Sequence, residues 1–334
     1  MSNPVKRALV CGAGGFIGGH MVRRLLDDGY AVTAVDIKPL EEWYQVFNRA
    51  YSADRVDLTM PTRTFDIFWE ANDREEPFTE IYQLAADMGG AGYIFTGEND
   101  ADIMHNSAMI NLNIARMVKI TCPHAKVFFS SSACVYPEHN QTDPNNPNCE
   151  ESTAYPANPD SEYGWEKIFS ERLWRSYARN HGLNVRIARF HNIFGPCGTW
   201  TGGKEKAPAA MCRKALEAED TLEVWGPGTQ TRSFLYIEEC IEGVRRLMES
   251  DVTDVVNIGS DEMISINNLA RMALDLAGRE DVEVVNVDGP VGVMGRCSDN
   301  DLIFNKLGWR PMQPLRRGME ETLLWIEEEM NEIK

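Results

Sequence analysis

The stretch GAGGFIG, residues 12–18, follows the apolar run 8–11 and precedes a helical pattern over residues 17–28. Glycine at 12, 15 and 18 permits a tight turn and lets a pyrophosphate approach the N–H groups at the positive end of a helix. Asp36 ends the next apolar run, 18 residues beyond Gly18, where a carboxylate can accept both hydroxyls of a ribose. This strand, glycine turn and helix predict a dinucleotide-binding site.

The acid at Asp36 also indicates which dinucleotide binds. Its charge would repel a 2′-phosphate, so the sequence favours NAD over NADP. Asp57 and Leu58 end a third strand-like region, and the Asp57 carboxylate is placed to accept a hydrogen bond from the adenine amino group. The alternative, in which the glycines only form a turn and Asp36 is a surface residue, stays open.

Short apolar, β-branched runs alternate with longer helical patterns, which is the signature of βαβ units and a parallel sheet. We predict an α/β fold, a Rossmann-type doubly wound parallel sheet with a smaller α/β C-terminal substrate domain. The expected NAD-binding domain covers 1–191, with 233–258 returning to it, and the expected substrate domain covers 192–232 and 259–334. The predicted strands are 8–11, 31–36, 80–84, 126–130, 184–189, 222–225, 255–258 and 282–287; the predicted helices are 17–28, 102–121, 163–180, 209–219 and 238–250.

Composition excludes several classes of partner. The formal net charge of −18 argues against nonspecific binding to nucleic acid or to an anionic membrane. The eight cysteines form no CxxC pair and no Cys/His ligand spacing, so neither a metal site nor a disulfide framework is expected. The N-terminus lacks a signal-peptide pattern and no apolar run reaches the length of a membrane span, so we expect a cytoplasmic protein.

The stretch YGWEK, residues 163–167, begins a predicted helix and places Tyr163 and Lys167 on one face. A nearby cation, together with the positive nicotinamide ring, would lower the pKa of the phenol towards neutrality and let it act as a base. On the opposite side we expect Trp165, Ile168 and Phe169 to be core. Because this spacing is common, a partly buried tyrosine beside a solvated lysine stays an alternative.

Four motifs together resemble the extended short-chain dehydrogenase/reductase superfamily: the glycine loop, QLAA at residues 83–86 after a strand, the serines 130–132, and YxxxK. Within that superfamily, nearly the whole chain resembles the GDP-mannose 3,5-epimerase family. The blocks that carry this resemblance include AADMGG at 85–90, SSACVYP at 131–137, RFHNI at 189–193, GGKEKAPAA at 202–210 and QTRSF at 230–234.

The resemblance implies NAD-dependent epimerisation of GDP-mannose at C3 and C5 to GDP-L-galactose through a transient 4-keto intermediate, with GDP-L-gulose from C5 inversion alone. It makes Tyr163 the redox base, assisted by Ser132 and Lys167. A C4 ketone acidifies the protons on both neighbouring carbons, and inversion needs a base on one face and an acid on the other. The resemblance assigns these roles to Cys134 and Lys206, and an extended strand end would direct Ser132 and Cys134 to the same sugar.

The resemblance also implies contacts with the ligands and a homodimer formed through a two-helix interface. Lys214, Arg232 and Arg296 match positions that contact the nucleotide diphosphate or the sugar. The full expected substrate set is Met88, Gly92, Ser132, Ala133, Cys134, Asn192, Glu205, Lys206, Ala207, Lys214, Gln230, Thr231, Arg232 and Arg296. The expected NAD set is Gly12, Gly15, Phe16, Ile17, Gly18, Asp36, Asp57, Leu58, Leu84, Ala85, Ala86, Tyr163 and Lys167.

Other activities of the superfamily stay open. A 4-epimerase would leave Cys134 and Lys206 without a role, and a 4,6-dehydratase would carry an Asp-Glu pair where this chain has Ala133-Cys134. A GDP-fucose synthase-like enzyme uses NADPH, which Asp36 disfavours. A nucleotide-binding protein without turnover is disfavoured because Ser132, the tyrosine and the lysine are all intact.

Overall fold

The computed structural model describes residues 5–47 and 51–332. Its first seven strands are β1 (Arg7–Cys11), β2 (Ala31–Asp36), β3 (Tyr51–Arg55), β4 (Glu80–Gln83), β5 (Lys126–Ser132), β6 (Asn184–Phe190) and β7 (Ile193–Phe194). The remaining strands are β8 (Thr221–Trp225), β9 (Thr231–Ser233), β10 (Leu235–Tyr236), β11 (Val255–Ile258), β12 (Met263–Ser265), β13 (Glu283–Val287) and β14 (Gly295–Arg296).

The helices of the described residues separate most of these strands. They are α1 (Phe16–Asp27), α2 (Pro61–Asp73), α3 (Ala91–Ile94), α4 (Asp100–Thr121), α5 (Glu162–His181), α6 (Ala207–Glu217), α7 (Ile237–Glu249), α8 (Ile266–Leu276), α9 (Asp301–Leu307) and α10 (Leu315–Glu332). Within the described ranges, no helix is both long enough and apolar enough to cross a membrane.

The central sheet has the order β11-β6-β5-β4-β1-β2-β3 in the described part of the chain, and all of its pairs are parallel. The chain runs outward from β1 to β3, then crosses back to β4 and builds towards the other edge. Ligands of doubly wound sheets bind where the order reverses, at the carboxyl ends of the strands. The predicted doubly wound parallel sheet is confirmed, and its crevice lies beyond the ends of β1, β4 and β5.

Residues along β1 alternate between the two faces of the sheet, as strand geometry requires. Ala8 and Val10 belong to the buried cluster that contains the apolar faces of α1 and α7. Leu9 and Cys11 belong to a second buried cluster, built with residues of α4 and α5. A strand that is covered on both faces has a continuous run of apolar residues, and this run made β1 recognisable from the sequence.

The C-terminal part adds small sheets around the crevice. A three-stranded sheet has the order β12-β9-β14, and its parallel pair places Arg296 opposite Arg232. The pair β13-β8 lies in a separate small sheet. β11 returns to the edge of the central sheet beside β6. The domain boundaries given above remain a prediction.

The sequence analysis did not predict α2, which lies between β3 and β4. A second prediction was wrong: the side chains of Trp165 and Phe169 are 40% and 44% exposed, whereas Ile168 is buried. Trp165 and Phe169 are one helical turn apart and therefore share an outward face of α5. Burial depends on whether another element covers that face, and helical spacing alone does not supply this information.

Candidate active site

The glycine loop joins β1 to α1 with a geometry that other residues could not adopt. Gly12 has φ +82°, and a Cβ at Gly18 would lie 2.0 Å from the Gly12 carbonyl oxygen. A Cβ at Gly12 would lie 2.9 Å from the Ala85 nitrogen, so the loop packs tightly on the segment after β4. α1 begins at Phe16 with no capping side chain and no acid in its first turn, leaving its N–H groups for an anion.

Asp36 ends β2 beside this loop. Its carboxylate accepts hydrogen bonds from the N–H groups of Gly14 and Lys38, both at 3.0 Å. Asp57, near the end of β3, accepts through one oxygen from the N–H (2.9 Å) and hydroxyl (2.6 Å) of Thr59, and no bond of its other oxygen is seen in the described residues. A glycine cradle that a Cβ would fill, open helix N–H groups and two carboxylates fit the pyrophosphate, ribose and adenine of NAD.

Ser132, Tyr163 and Lys167 meet at the carboxyl end of β5. The Lys167 ammonium donates to the Ser130 carbonyl at 3.0 Å and lies 5.5 Å from the Tyr163 ring centroid. Ser132 is a hydrogen-bond partner of the Tyr163 phenol. The three side chains predicted to act together are therefore adjacent, with Tyr163 and Lys167 on one buried face of α5.

The protein groups around Tyr163 do not by themselves lower the pKa of its phenol. Burial, then the charges of Cys134 and Glu166, raise the pKa of the phenol far above its ordinary value, and only the Ser132 hydrogen bond lowers it. Burial likewise lowers the pKa of Lys167, which Glu166 opposes. Any lowering of the Tyr163 pKa must therefore come from a bound positive group, because the desolvation of a buried phenol outweighs the protein's own cations.

Cys134 lies in a 3-10 turn, Ala133–Val135, rather than in the extended strand end that was expected. Its N–H donates to the Ser132 hydroxyl at 3.2 Å, which caps the turn. The start of α5 approaches this turn so closely that a Cβ on Gly164 would lie 2.2 Å from the Cys134 carbonyl oxygen. Gly164, inside the YGWEK stretch, is what allows Cys134 and Tyr163 to be neighbours.

Lys206 and Arg296 come to Cys134 from distant parts of the chain. Lys206 is the N-cap residue of α6, whose first turn contains Pro208, a residue favoured there because it needs no hydrogen-bond acceptor. Burial lowers the pKa of Lys206; Cys134 raises it and Arg296 lowers it further, so the three groups interact. Arg296 donates to the Cys134 sulfur at 3.2 Å. The predicted acid/base pair is thus brought together.

The two arginines predicted to bind the substrate differ in their partners. Arg296 is tied to protein groups, with an ion pair to Asp160 at 2.9 Å and a hydrogen bond to Gln141. Arg232 donates only to backbone carbonyls in the described residues, among them that of Val293 at 2.7 Å. Burial and the nearby Arg296 lower the pKa of Arg232 to about 10. The positive charge of Arg232 is therefore less compensated by protein groups than that of Arg296.

The remaining predicted substrate residues surround this group at varying distances. Gln230 is buried, and its Oε1 has no partner among the residues that the structure describes. Asn192 has φ +44° and donates to the Ser233 carbonyl. Lys214 lies apart on α6, donating to the Glu223 carbonyl. Of the others, Ala133 is buried, Met88 is exposed, Gly92, Glu205 and Ala207 are partly exposed, and Thr231 donates to the Pro144 carbonyl.

Sequence reasoning missed three polar side chains near the reacting groups. Asp160 and Gln141 hold Arg296. Glu166 is fully buried and accepts from Ser170, and its second oxygen has no partner within the described part of the chain. Asp160 lies three residues before Tyr163, and an acid so close to the start of the helix was the available signal. Nothing local distinguishes Gln141, whose partner is 155 residues away.

The doubly wound sheet, the glycine loop and the Ser132, Tyr163 and Lys167 arrangement define an NAD-dependent enzyme of the extended short-chain dehydrogenase/reductase type. Comparison with protein families agrees. Residues 8–259 match the model of the NAD dependent epimerase/dehydratase family. The chain belongs to this family, and its cofactor is NAD.

Individual proteins of known name are also similar to this chain. The chain is 44% identical over 326 residues to GDP-mannose 3,5-epimerase of Arabidopsis thaliana, covering 97% of this chain and 83% of that protein. It is also 44% identical to GDP-mannose 3,5-epimerase 1 of Oryza sativa subsp. japonica, covering 98% and 83%. The solved UDP-glucose 4-epimerase of Thermotoga maritima superposes with a TM-score of 0.84 at 24% identity, covering 97% and 99%, which supports the fold.

Proposed function

We propose that this enzyme epimerises GDP-mannose at C3 and C5 to GDP-L-galactose, and releases GDP-L-gulose when only C5 is inverted. The observation that carries the proposal is the meeting of Cys134, Lys206 and Arg296 beside Tyr163. A simple 4-epimerase requires the tyrosine but has no use for a thiol and an amine at the same sugar. The names of the plant relatives support the same substrate.

NAD bound at the glycine loop would supply the oxidation of the C4 hydroxyl to a ketone and its reversal. Tyr163 Oη takes the hydroxyl proton in the first direction and returns it in the second. The Ser132 hydroxyl, a partner of the same phenol, holds the C4 oxygen. The Lys167 ammonium uses one N–H on Ser130, and its other N–H groups are available to hold the nicotinamide ribose.

Cys134 and Lys206 invert the carbons beside the ketone. The thiolate sulfur removes the C3 or C5 proton, the electron pair moves into an enolate on the C4 oxygen, and the Lys206 ammonium delivers a proton to the opposite face of the same carbon. Lys206 suits this exchange because burial and Arg296 lower its pKa. Each inversion leaves a thiol and a neutral amine, and proton exchange with solvent restores the thiolate and the ammonium before the next inversion.

Arg232 is the best candidate to bind the diphosphate. Its guanidinium donates to backbone carbonyls, and no carboxylate pairs with it in the described residues. A partly buried cation without an anionic partner is unfavourable, and a doubly charged diphosphate would compensate it. The unpartnered Oε1 of the neighbouring Gln230 can accept from a sugar or base donor.

The assembly we propose is a homodimer through the outer faces of α4 and α5. Trp165 and Phe169 on α5 and Leu112 on α4 are large apolar side chains exposed at 40%, 44% and 37%. Aromatic residues are enriched in the cores of such interfaces. A monomer in solution at micromolar concentration, measured by light scattering, would contradict this assembly.

The compartment we propose is the cytoplasm. All eight cysteines are free thiols in the structure. Several are buried in the core, where burial raises the thiol pKa of Cys11 and Cys240, for example, so that they pack as small apolar groups. A reducing compartment preserves such thiols.

Incubation of the purified enzyme with GDP-mannose in D₂O, followed by proton NMR, tests the function. We expect deuterium at C3 and C5 and the signals of the L-sugars. Inversion at C4 without deuterium would establish a 4-epimerase instead, and loss of the C6 hydroxyl would establish a dehydratase. If GDP-mannose is unchanged, it is not the substrate of this enzyme.

A further inference from the structure

Arg296 is the most completely bonded charged side chain near the proposed acid/base pair. It is 6% exposed, and its three donor nitrogens each have a different partner. Nε donates to the Gln141 amide oxygen, Nη2 to the Asp160 carboxylate at 2.9 Å, and Nη1 to the Cys134 sulfur at 3.2 Å. A planar guanidinium held at two nitrogens has its third direction fixed.

We infer that Arg296 is a positioning residue whose hydrogen bond aims the Cys134 sulfur at the sugar and stabilises the negative charge that the sulfur carries when it acts as the base, and that Asp160 and Gln141 fix the guanidinium for this purpose. The inference rests on the proposed function, in which Cys134 is the base. It differs from the substrate-contact role that the family resemblance implied for Arg296. Three of the five N–H groups of Arg296 are directed at protein groups, and the second N–H of Nη1 or Nη2 is what a substrate contact would use.

The charged and titratable groups that face Cys134 come from four elements. They are Arg296 on β14, Arg232 on β9, Lys206 at the start of α6, and Tyr163 and Lys167 on α5. Four of the five are cations, and a thiolate is stabilised beside cations. Among them, Arg296 donates a hydrogen bond to the sulfur. Burial lowers the pKa of Arg296, but Cys134 and Asp160 are among the groups that outweigh this and raise it, so Arg296 stays charged at every working pH.

The same groups also act on the pKa of Lys206. Burial lowers the pKa of Lys206, the Cys134 sulfur raises it, and Arg296 lowers it further. A fixed guanidinium therefore favours an anionic sulfur and a lysine that releases its proton readily, which are the two states that the exchange at C3 and C5 requires. Lys206 itself cannot fix the sulfur in this way, because it must give up its proton during the reaction.

Arg232 provides a matched control. It lies opposite Arg296 in the β9-β14 pair and interacts electrostatically with Cys134, but its Nη atoms donate to backbone carbonyls. Replacing Arg232 removes one nearby positive charge and leaves the hydrogen bond to the sulfur intact. Comparing variants of the two arginines therefore distinguishes the effect of a nearby positive charge from that of a direct hydrogen bond to the sulfur.

The test measures the sulfur directly and without substrate. Iodoacetamide alkylates a thiolate with loss of iodide, so the rate of Cys134 modification, followed by mass spectrometry of its peptide across a pH series, reports the thiolate fraction. In the NAD-loaded enzyme, R296Q is expected to raise the pH midpoint of this rate by about one unit, so that modification at neutral pH slows about tenfold. R232Q is expected to shift it by less than half as much.

R296Q leaves the Asp160 carboxylate without its ion-pair partner and could prevent folding. The double variant R296Q/D160N removes both charges of the pair and is used if the single variant does not fold. The same upward shift is expected in it. An unchanged midpoint in R296Q or the double variant, or an equal shift in R232Q, overturns the inference. Deuterium exchange that persists in C134A would instead overturn the role of Cys134 in the proposed function, whatever the alkylation midpoints are.

Discussion

The Lys167 ammonium donates a hydrogen bond to the Ser130 carbonyl at 3.0 Å, and the lysine is 1% exposed. This bond joins α5 to β5. Ser132 lies two residues further along that strand, and Tyr163 lies one turn earlier on the helix. This contact between helix and strand, together with the close approach at Gly164, brings the two hydroxyl groups of the site to face each other.

Replacing Tyr163 by phenylalanine removes the proposed redox base. We expect kcat to fall by about 10²–10⁴, the usual contribution of a general acid/base, with NAD still bound. Because burial raises the pKa of Tyr163 in the protein, the wild-type rate should also increase as the pH rises through neutrality. Steady-state assays with GDP-mannose measure both effects. Tyr177→Phe, on the same helix, is the control, and equal activity of wild type and Tyr163→Phe would refute the role.

Replacing Cys134 or Lys206 by alanine removes one half of the proposed acid/base pair. Deuterium exchange at C3 and C5 should fall by at least about 10²-fold in each variant, while NAD binding stays unchanged. Proton NMR in D₂O and the absorbance of the bound cofactor are the measurements. Cys122→Ala, at the C-terminal end of α4, should exchange as the wild type does.

Replacing Asp36 by asparagine removes the carboxylate at the end of β2. A hydrogen bond to a charged group contributes about 1.5–3 kcal/mol, so NAD affinity should fall about 10- to 100-fold. NADP affinity should fall less or rise, because the repulsion of a 2′-phosphate is gone. Titration calorimetry of the apoenzyme measures both. The exposed Asp54 of β3 offers the control Asp54→Asn, and an undiminished preference for NAD in the Asp36 variant would be evidence against this reading.

Two neighbouring glycines of α1 should respond very differently to alanine. At Gly18 the new methyl group would lie 2.0 Å from the backbone carbonyl of Gly12, whereas at Gly19 it would meet the end of the flexible Gln45 side chain at 2.9 Å. Gly18→Ala should destabilise the fold by about 1–3 kcal/mol and impair NAD binding. Gly19→Ala should change stability by less than about 1 kcal/mol. Urea unfolding distinguishes them, and similar midpoints would show that the loop adapts.

His191 should make stability depend on pH. It is fully buried and its Nε2 is hydrogen-bonded to Asn257, while its Nδ1 has no partner in residues 5–47 and 51–332. Burial lowers its pKa to about 3. The unfolded chain takes up a proton near pH 6.5 that the folded protein does not. The free energy of unfolding should therefore decrease as the pH falls below about 6.5 and continue to decrease towards pH 3, by up to about 1.4 kcal/mol per pH unit from this group.

Urea unfolding of His191→Gln at several pH values measures this contribution. The variant should lose about one proton of the pH dependence between about pH 6 and 5. His105→Gln, at an exposed position of α4, should retain the wild-type slope. An identical slope in wild type and His191→Gln would show that the buried imidazole does not govern acid sensitivity.

The sequence by itself determined the features that repeat over short distances. Short apolar, β-branched runs identified most strands of the central sheet to within a few residues, and the spacing of Tyr163 and Lys167 placed them on one helical face. The glycine loop with Asp36 identified the cofactor because turn, helix start and acid all lie within one βαβ unit. Family resemblance added Cys134 and Lys206, which no local pattern indicated.

Only the tertiary structure decided what surrounds these residues. Arg296 reaches Cys134 across 162 residues of sequence, and Asp160 and Gln141 hold it there. The same holds for the exposure of Trp165, which depends on what covers α5 rather than on helical period. Local spacing reports backbone geometry, whereas desolvation and ion pairing depend on segments that folding brings together, so the electrostatics of the site could be read only from the folded chain.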